Sequence, residues 1–459
     1  MIEQLTKHPI DPFFDQSQPN DPIDLGNHDI SYEIKGTTFK AKAAVHLRFS
    51  PDIRLVFKVP ISSISPSPAP FHHFGVDGYV NLTLTNGINI EAILTSSRNS
   101  EIVFLPRFGM FRISQTSDQI RSARFHLFNF PILYGPDRYS LETQMDTSTD
   151  CRKCSRTELK ADNWVITICE VERSVDLLRN LKENGGYALT GVGQIVREDG
   201  STFDTYALEK LFSCLHSFFS FAFGRWMGIG LTRGFDAKGI NVYERWGLPF
   251  AANNVWNPSI TWFDAMHAGL LGQVFPGFVK LWNNPIWHEP LSHVIYWYVN
   301  ANDRRAGAGV DNGLILAQSA LETLAWTYCT QDRKMVSSEA FKQRGLSAAD
   351  KIRLLTSALN IPREIPDSCK SLKNQQVNQW VDGPHAITSI RNSLVHPIAS
   401  CNSSEVPFFE AWNLALWYIE LVLLHLCGHK GQYANHLKLP RRNGEVEDVP
   451  WAKKTGIQS

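Results

Sequence analysis

The sequence predicts an α+β protein: a β-rich N-terminal domain of sandwich or barrel type, followed by an all-α helical bundle. Three observations carry this. Over the first two hundred residues, short segments alternate apolar and polar side chains between turn signals, the pattern of half-buried strands. From about Asn284 the apolar spacing changes to the three-to-four-residue step of long helices. The whole chain, 459 residues with 43% hydrophobic and 20% charged side chains, has the composition of a folded protein with a large core. Lys+Arg and Asp+Glu are both 45, so the formal net charge is zero. That excludes a binder driven by a strongly basic surface or tail, though not a local site for a few phosphates.

The elements follow in order. Strand candidates are Ile30–Lys35, Ala43–Phe49, Ile53–Val59, Tyr79–Leu84, Ile88–Leu94, Glu101–Leu105, Ala123–Leu133, Trp164–Val171 and Tyr187–Val196. Asn86-Gly87 lies between the fourth and fifth and predicts a tight hairpin. Ser63–Pro70 reads as a proline-serine loop, and Gly135–Ala161 as a polar, irregular excursion. Tyr206–Phe223 carries a broad apolar helical face, and the Gly/Trp-rich stretch Gly224–Trp256 is a place for further strands. Helix candidates beyond it are Leu291–Asn302, Leu314–Thr330, Ala348–Leu359, Pro384–Val395 and Pro407–Leu426. Ser347 with Asp350 has capping-box spacing. Asp382, just ahead of Gly383-Pro384, is a cap before a first-turn proline. The expected organisation is a β-rich domain over 1–200, a helix and mixed connection over 201–283, a helical domain over 284–440 and a C-terminal tail over 441–459.

The run Ala411–Leu426 is interrupted by Asn413, Glu420 and His425, so it reads as a buried helix and not a membrane span. Because it is apolar nearly all round, one face is expected on the core and another on a second copy of the chain. Met1–Asp15 lacks the apolar stretch of a secretory signal. Together with eight cysteines in a chain of this length, that suggests free thiols in a reducing cytoplasm.

The segment with chemistry is Asp382–Pro397, DGPHAITSIRNSLVHP. Ile387, Ile390, Leu394 and Val395 form one apolar stripe, and Arg391 falls inside it. A guanidinium does not lose its charge, so a buried position there calls for a carboxylate or phosphate partner. His396 precedes Pro397, which ends the helix and leaves an imidazole at its terminus. Asn392 lies four residues before His396, within reach to orient the ring. Arg391 and His396 are about 140° apart on an ideal helix. They converge only if the arginine wraps around the terminus or if two copies of the segment meet.

Arg391-Asn-Ser-Leu-Val-His396 resembles the R-x4-H motif of HEPN domains, helical bundles that carry it near the end of a late helix. The β-rich first half, with LHSFFSFAFG (Leu215–Gly224), INVYERWG (Ile240–Gly247) and SALETLAW (Ser319–Trp326), is similar to the ApeA-like branch of that family. The resemblance implies a metal-independent RNA endonuclease, a homodimer acting on RNA in antiviral defence or as a toxin, with no cofactor and no metal. The chemistry agrees: attack by the RNA 2′-hydroxyl needs a base for its proton and a cation for the phosphorane charge. His396 then serves as general base or acid, Arg391 as phosphate clamp and Asn392 as orienter, with Glu322 as a candidate partner for Arg391. The N-terminal domain would sense a phage-derived or host trigger. The alternative is a non-catalytic HEPN-type module that binds RNA or partners while its β domain senses a ligand.

Other signals are weaker. Cys151-Arg-Lys-Cys154 has half of a zinc-knuckle spacing, and His425, Cys427 and His429 cluster at a helix end. Gly307-Ala-Gly309 lacks the Lys-Ser/Thr of a phosphate loop. Arg107, Phe108, Phe111 and Arg112, then Arg121, Arg124, Phe125, His126, Phe128 and Phe130, interleave cations with rings as single-strand binding surfaces do.

Overall fold

In a computed structural model of the chain, residues 10–34, 36–66, 79–96, 100–114, 119–134, 138–142, 151–248, 254–303, 309–342, 345–395 and 407–452 are described. The β-rich part comes first, as expected. Strands β1 (Ile23–Ile34), β2 (Thr37–Arg48), β3 (Arg54–Pro60), β4 (Tyr79–Leu84), β5 (Asn89–Ser96) and β6 (Glu101–Pro106) close into a barrel of order β1-β2-β3-β6-β5-β4. The alternation is plain in β2, where Phe39, Ala41, Ala43, Val45 and Leu47 are buried and the residues between them are not. At the Asn86-Gly87 hairpin, Gly87 takes φ 81° and its N–H donates to Leu84 O at 2.9 Å.

A second, eight-stranded antiparallel sheet follows. It contains β7 (Met110–Arg112), β8 (Ser122–Phe128), β9 (Arg138–Glu142), β10 (Cys151–Ala161), β11 (Trp164–Glu170), β12 (Leu189–Arg197), β13 (Gly228–Phe235) and β14 (Asn241–Gly247), in the order β7-β14-β13-β8-β12-β11-β10-β9. This corrects two expectations. Within the stretch 135–161, residues 138–142 and 151–161 form β9 and β10, because β11 offers an edge to β10 and β10 in turn to β9. The boundary at 200 falls inside one sheet, since β13 pairs with β8 and β14 with β13.

The sheet is a wall between two cores. On β8, Ala123, Phe125 and Leu127 face the helical side, while Phe128 joins the core shared with the barrel. On β13, Ile229 goes to the helices and Leu231 to the barrel. Helix α1 (Ser174–Asn184) buries Leu177, Leu178 and Leu181 on the barrel side. Gly193 is opposite Phe125, and a Cβ there would overlap the ring, so only glycine lets the ring lie flat across β12.

The helical side begins with α2 (Thr205–Phe223), capped by Asp204, whose carboxylate accepts from Ala207 N–H at 2.6 Å. Its phenylalanines pack on α3 (Gly269–Trp282), with Phe218 between Phe275 and Phe278. Helix α3 starts earlier than the predicted Asn284. Pro276 and three glycines inside it have low helix propensity, but burial of Leu271, Val274, Phe275 and Phe278 overrides it. Next come α4 (His288–Asn302) and α5 (Gly309–Trp326), the latter prolonged by a π-helical turn, Thr327–Asp332. Then follow α6 (Ser338–Lys342), α7 (Ala348–Ala358), α8 (Lys370–Gln379), α9 (Gly383–Val395) and α10 (Phe408–Leu426). Among the described residues, no helix is long and apolar enough to cross a membrane.

Helix α10 is the axis of the bundle, and every residue from Ala411 to Leu424 is buried within this one chain. Its all-round apolar surface is therefore consumed internally, which removes the reason for assigning one face to a second copy. Residues 441–452, expected as tail, are docked. Arg441 Nη1 donates to Thr261 O at 2.6 Å, Glu447–Asp448 pairs with Gln432–Tyr433, and Val449 is buried.

Candidate functional site

The predicted site lies along α9. Its N-terminal end is held by several contacts at once. Arg353 on α7 donates from Nε to Asp382 Oδ2 at 2.6 Å and from Nη2 to Oδ1 at 3.0 Å, and it also meets Asp350. This fork-on-fork geometry uses the planarity of guanidinium and carboxylate together. Asp382 Oδ1 accepts from His385 N–H at 3.0 Å as the expected cap, and Gly383 N–H donates to Arg363 O at 2.8 Å. A Cβ on Gly383 would overlap the Tyr418 hydroxyl, so glycine lets α9 lie against α10. The Ser347–Asp350 capping box forms as its spacing predicts. The hydrogen bond from Ser347 holds the Asp350 carboxyl below its usual range, assisted by Arg353.

The middle of α9 buries Ala386, Ile387, Thr388 and Ile390. The last turn is different. Arg391 and Leu394 are half-buried, and Asn392 and Val395 are exposed. Arg391 Nη1 donates to Asn392 Oδ1 at 3.3 Å, while its Nε is buried without an acceptor. Glu322, on α5, accepts from Gln318 Nε2 at 2.8 Å, and among the described residues no ion pair joins it to Arg391. The structure thus brings Arg391 and Asn392 together and leaves Glu322 with a neighbour on its own helix. His396 lies outside the described residues, one position beyond the end of α9.

The remaining candidates separate. Among the described residues, no group of three or more His, Cys, Asp or Glu side chains is arranged to hold a metal. His425 lies edge-on to Trp451, His429 Nε2 faces Gln432 O at 2.9 Å, and burial pushes the Cys427 thiol up. Cys169, Cys214, Cys329, Cys369 and Cys427 are free and buried. The side chains of Cys151 and Cys154 and the segment 304–308 lie outside the description. Of the interleaved cations and rings, Phe125, His126, Phe128 and Phe130 are core residues. Arg107 is exposed between the Tyr79 and Phe108 rings, at 5.2 and 5.6 Å.

Sequence reasoning missed two polar centres. In the first, Tyr298 OH donates to Glu420 Oε1 at 2.6 Å, His436 Nδ1 meets the same oxygen at 2.9 Å, and His436 Nε2 is 3.3 Å from Asn413 Oδ1. Burial, with Glu420 beside it, pushes the Tyr298 phenol well up. The signal was a carboxylate in the middle of an apolar run, read there only as an argument against a membrane span. The second centre is His126, fully buried between barrel and sheet. Its Nδ1 donates to Leu231 O at 2.8 Å and its Nε2 accepts from Phe13 N–H at 3.1 Å, which defines a neutral ring. Burial lowers its pKa to about 4.

The chain's likeness to other proteins follows these divisions. Residues 115–257, most of the central sheet with α2, match the model of the YopA central domain. Residues 284–448, from the end of α3 through the docked C-terminal strand, match that of the YopA C-terminal domain. No solved structure matches. Neither domain description names a HEPN or ApeA-like domain. Across 452 aligned residues, covering 94% of this chain and 95% of the relative, the chain is 28% identical to the SPbeta prophage-derived uncharacterized protein YopA of Bacillus subtilis strain 168.

Proposed function

We propose that the protein is a metal-independent RNA endonuclease of HEPN type, acting as a homodimer in antiphage defence. The observation that carries the reading is the state of Arg391. It is a half-buried cation in the last turn of α9, with no carboxylate ion-paired to it among the described residues, beside an exposed Asn392 and five positions before His396. Such a cation is suited to a phosphate. In the reaction, His396 takes the proton of the 2′-hydroxyl or returns one to the 5′-oxygen, and Arg391 stabilises the charge that develops on phosphorus. Asn392 orients the ring. The two roles meet at one phosphate when the α9 termini of two copies face each other. The prophage origin of the Bacillus relative supports a setting in phage–host conflict.

A second reading, a non-catalytic binding module, draws support from α10, whose apolar surface is satisfied within one chain and does not call for a partner copy. The test is incubation of structured RNA with the wild type, Arg391→Ala and His396→Ala, with and without EDTA, and light scattering on the same samples. We expect 2′,3′-cyclic phosphate and 5′-hydroxyl ends, indifference to EDTA, a mass of two chains, and a loss of about 10²–10⁴ in rate for each variant. Folded His396→Ala that cuts at the wild-type rate overturns the catalytic reading. Binding of RNA without cleavage by the wild type selects the second.

A further inference from the structure

The central sheet carries a buried cation that the reading above does not use. Arg245 on β14 is 6% exposed, and its Nε has no acceptor. Among the described residues no carboxylate lies within ion-pair distance of its guanidinium, which rests 4.6 Å above the Phe212 ring of α2. A guanidinium buried without a counter-charge is costly, and desolvation disfavours its charged form. A ring face compensates only part of that.

The neighbours point to what is missing. In register, Arg245 pairs with Thr232 on β13 and with Arg112 on β7, and directly paired residues share a face of the sheet. Thr232 is fully buried, and its Oγ1 also has no partner. It sits at an irregularity where Leu231 and Thr232 together oppose Phe125, with Leu231 at φ 48°. Bulges of this kind re-aim side chains and are frequent beside binding sites. Arg112 is exposed, so the cluster opens to solvent at the sheet edge. Glu209 on α2, an acid whose charge acts on Arg245, accepts a hydrogen bond from Tyr243 OH at 3.4 Å.

We propose that Arg245, Arg112 and Thr232 form an oxyanion site that takes the phosphoryl group of a small phosphorylated ligand. Two guanidiniums and a hydroxyl on one face are donors only or donor-capable, and a tetrahedral phosphate offers enough acceptor oxygens for all three. The aromatic shelf of Phe212 and Tyr243 would keep the contact partly dry.

The experiment is thermal unfolding and calorimetric titration of the full chain with sodium phosphate and with adenosine monophosphate, against sodium chloride at equal ionic strength. The wild type should gain several degrees with phosphate over chloride. Equal affinity for phosphate and the nucleotide identifies a free oxyanion as the ligand, and at least tenfold tighter nucleotide binding identifies a phosphoryl end. Arg245→Met, which removes the buried charge and keeps the volume, should melt no lower than wild type in chloride and lose the phosphate response. Glu209→Gln should bind phosphate more tightly, since a competing negative charge is gone. The proposal is overturned if the wild type responds no more to phosphate than to chloride, or if Arg245→Met responds equally. It is also overturned if Arg245→Met and Glu209→Gln both lower the melting temperature in chloride, because Glu209 would then be the partner in solution. None of these readouts depends on RNA cleavage, so failure here leaves the ribonuclease reading standing, and the reverse holds.

Discussion

The two ends of α9 are built on opposite plans. At its start, Arg353 spends its fork on Asp382, the same carboxylate caps the helix, and Asp350 and Ser347 complete a closed set of donors and acceptors. At its end, eight residues after Gly383 begins the helix, Arg391 hydrogen-bonds only to the side chain next to it, and its Nε has no acceptor. Both residues are arginines at helix–helix margins, and their difference is whether a carboxylate has been supplied. A saturated arginine fixes a helix in place. An unsaturated one is available to a ligand, and the anchored start gives it a fixed base from which to act.

Removing the anchor should produce the largest effect. Asp382→Ala strips Arg353 of its bidentate partner and α9 of its cap, and breaking a well-buried pair costs about 3–5 kcal/mol. Urea unfolding would read it, and a loss below about 1 kcal/mol would erase the distinction between the two ends. A control of similar size lies far from α9. His126 is neutral in the fold, with its pKa lowered to about 4 from 6.5. Because the folded value is depressed, the unfolded chain binds the proton first, and stability falls as pH drops from 6.5 towards 4. The two values correspond to about 3 kcal/mol. Chemical unfolding at pH 6.5 and 4.5 should show this slope flattened in His126→Gln and unchanged in Asp382→Ala. If both variants flatten it, the two regions are coupled. Ser347→Ala should cost about 1 kcal/mol, the usual contribution of an N-cap. Arg391→Ala should change stability by no more than about 0.5 kcal/mol, as expected of a partly exposed side chain in no network. A loss of 2 kcal/mol or more would place Arg391 among the anchors.

Much of this arrangement was legible in the residues. The capping box at Ser347, the cap at Asp382, the hairpin at Asn86-Gly87 and the course of α9 follow from local chemistry, which acts within three or four positions. What was not legible depends on distant partners. The pairing of Arg353 with Asp382 joins residues 29 positions apart, and no local rule chooses Asp382 over Glu322 as an arginine's partner. The strands at 138–142 and 151–161 exist because β11 offers an edge to the second, and it in turn to the first. Nothing local shows that α3 runs through Pro276, where Gly277 permits close contact with the Cys427 carbonyl. Of the site, Arg391 and Asn392 are neighbours by sequence and remain so in space. The network of Glu420, His436 and Tyr298 was invisible because its members come from three separate segments.

The two cores that meet at the central sheet are interleaved along the chain, within one to three positions of each other. Phe125 and Leu127 belong to the bundle while His126 and Phe128 turn to the barrel, and the same holds for Ile229 and Leu231 and for Tyr243 and Trp246. A recombination breakpoint anywhere between 122 and 247 would therefore split both cores at once. The barrel can be exchanged between genes only by a cut before β7, and the replacement must still present a surface that fits Phe128, Leu231 and Trp246. Gene fusion and module shuffling are confined to one short window, so the β-rich and helical parts of this protein are expected to descend together.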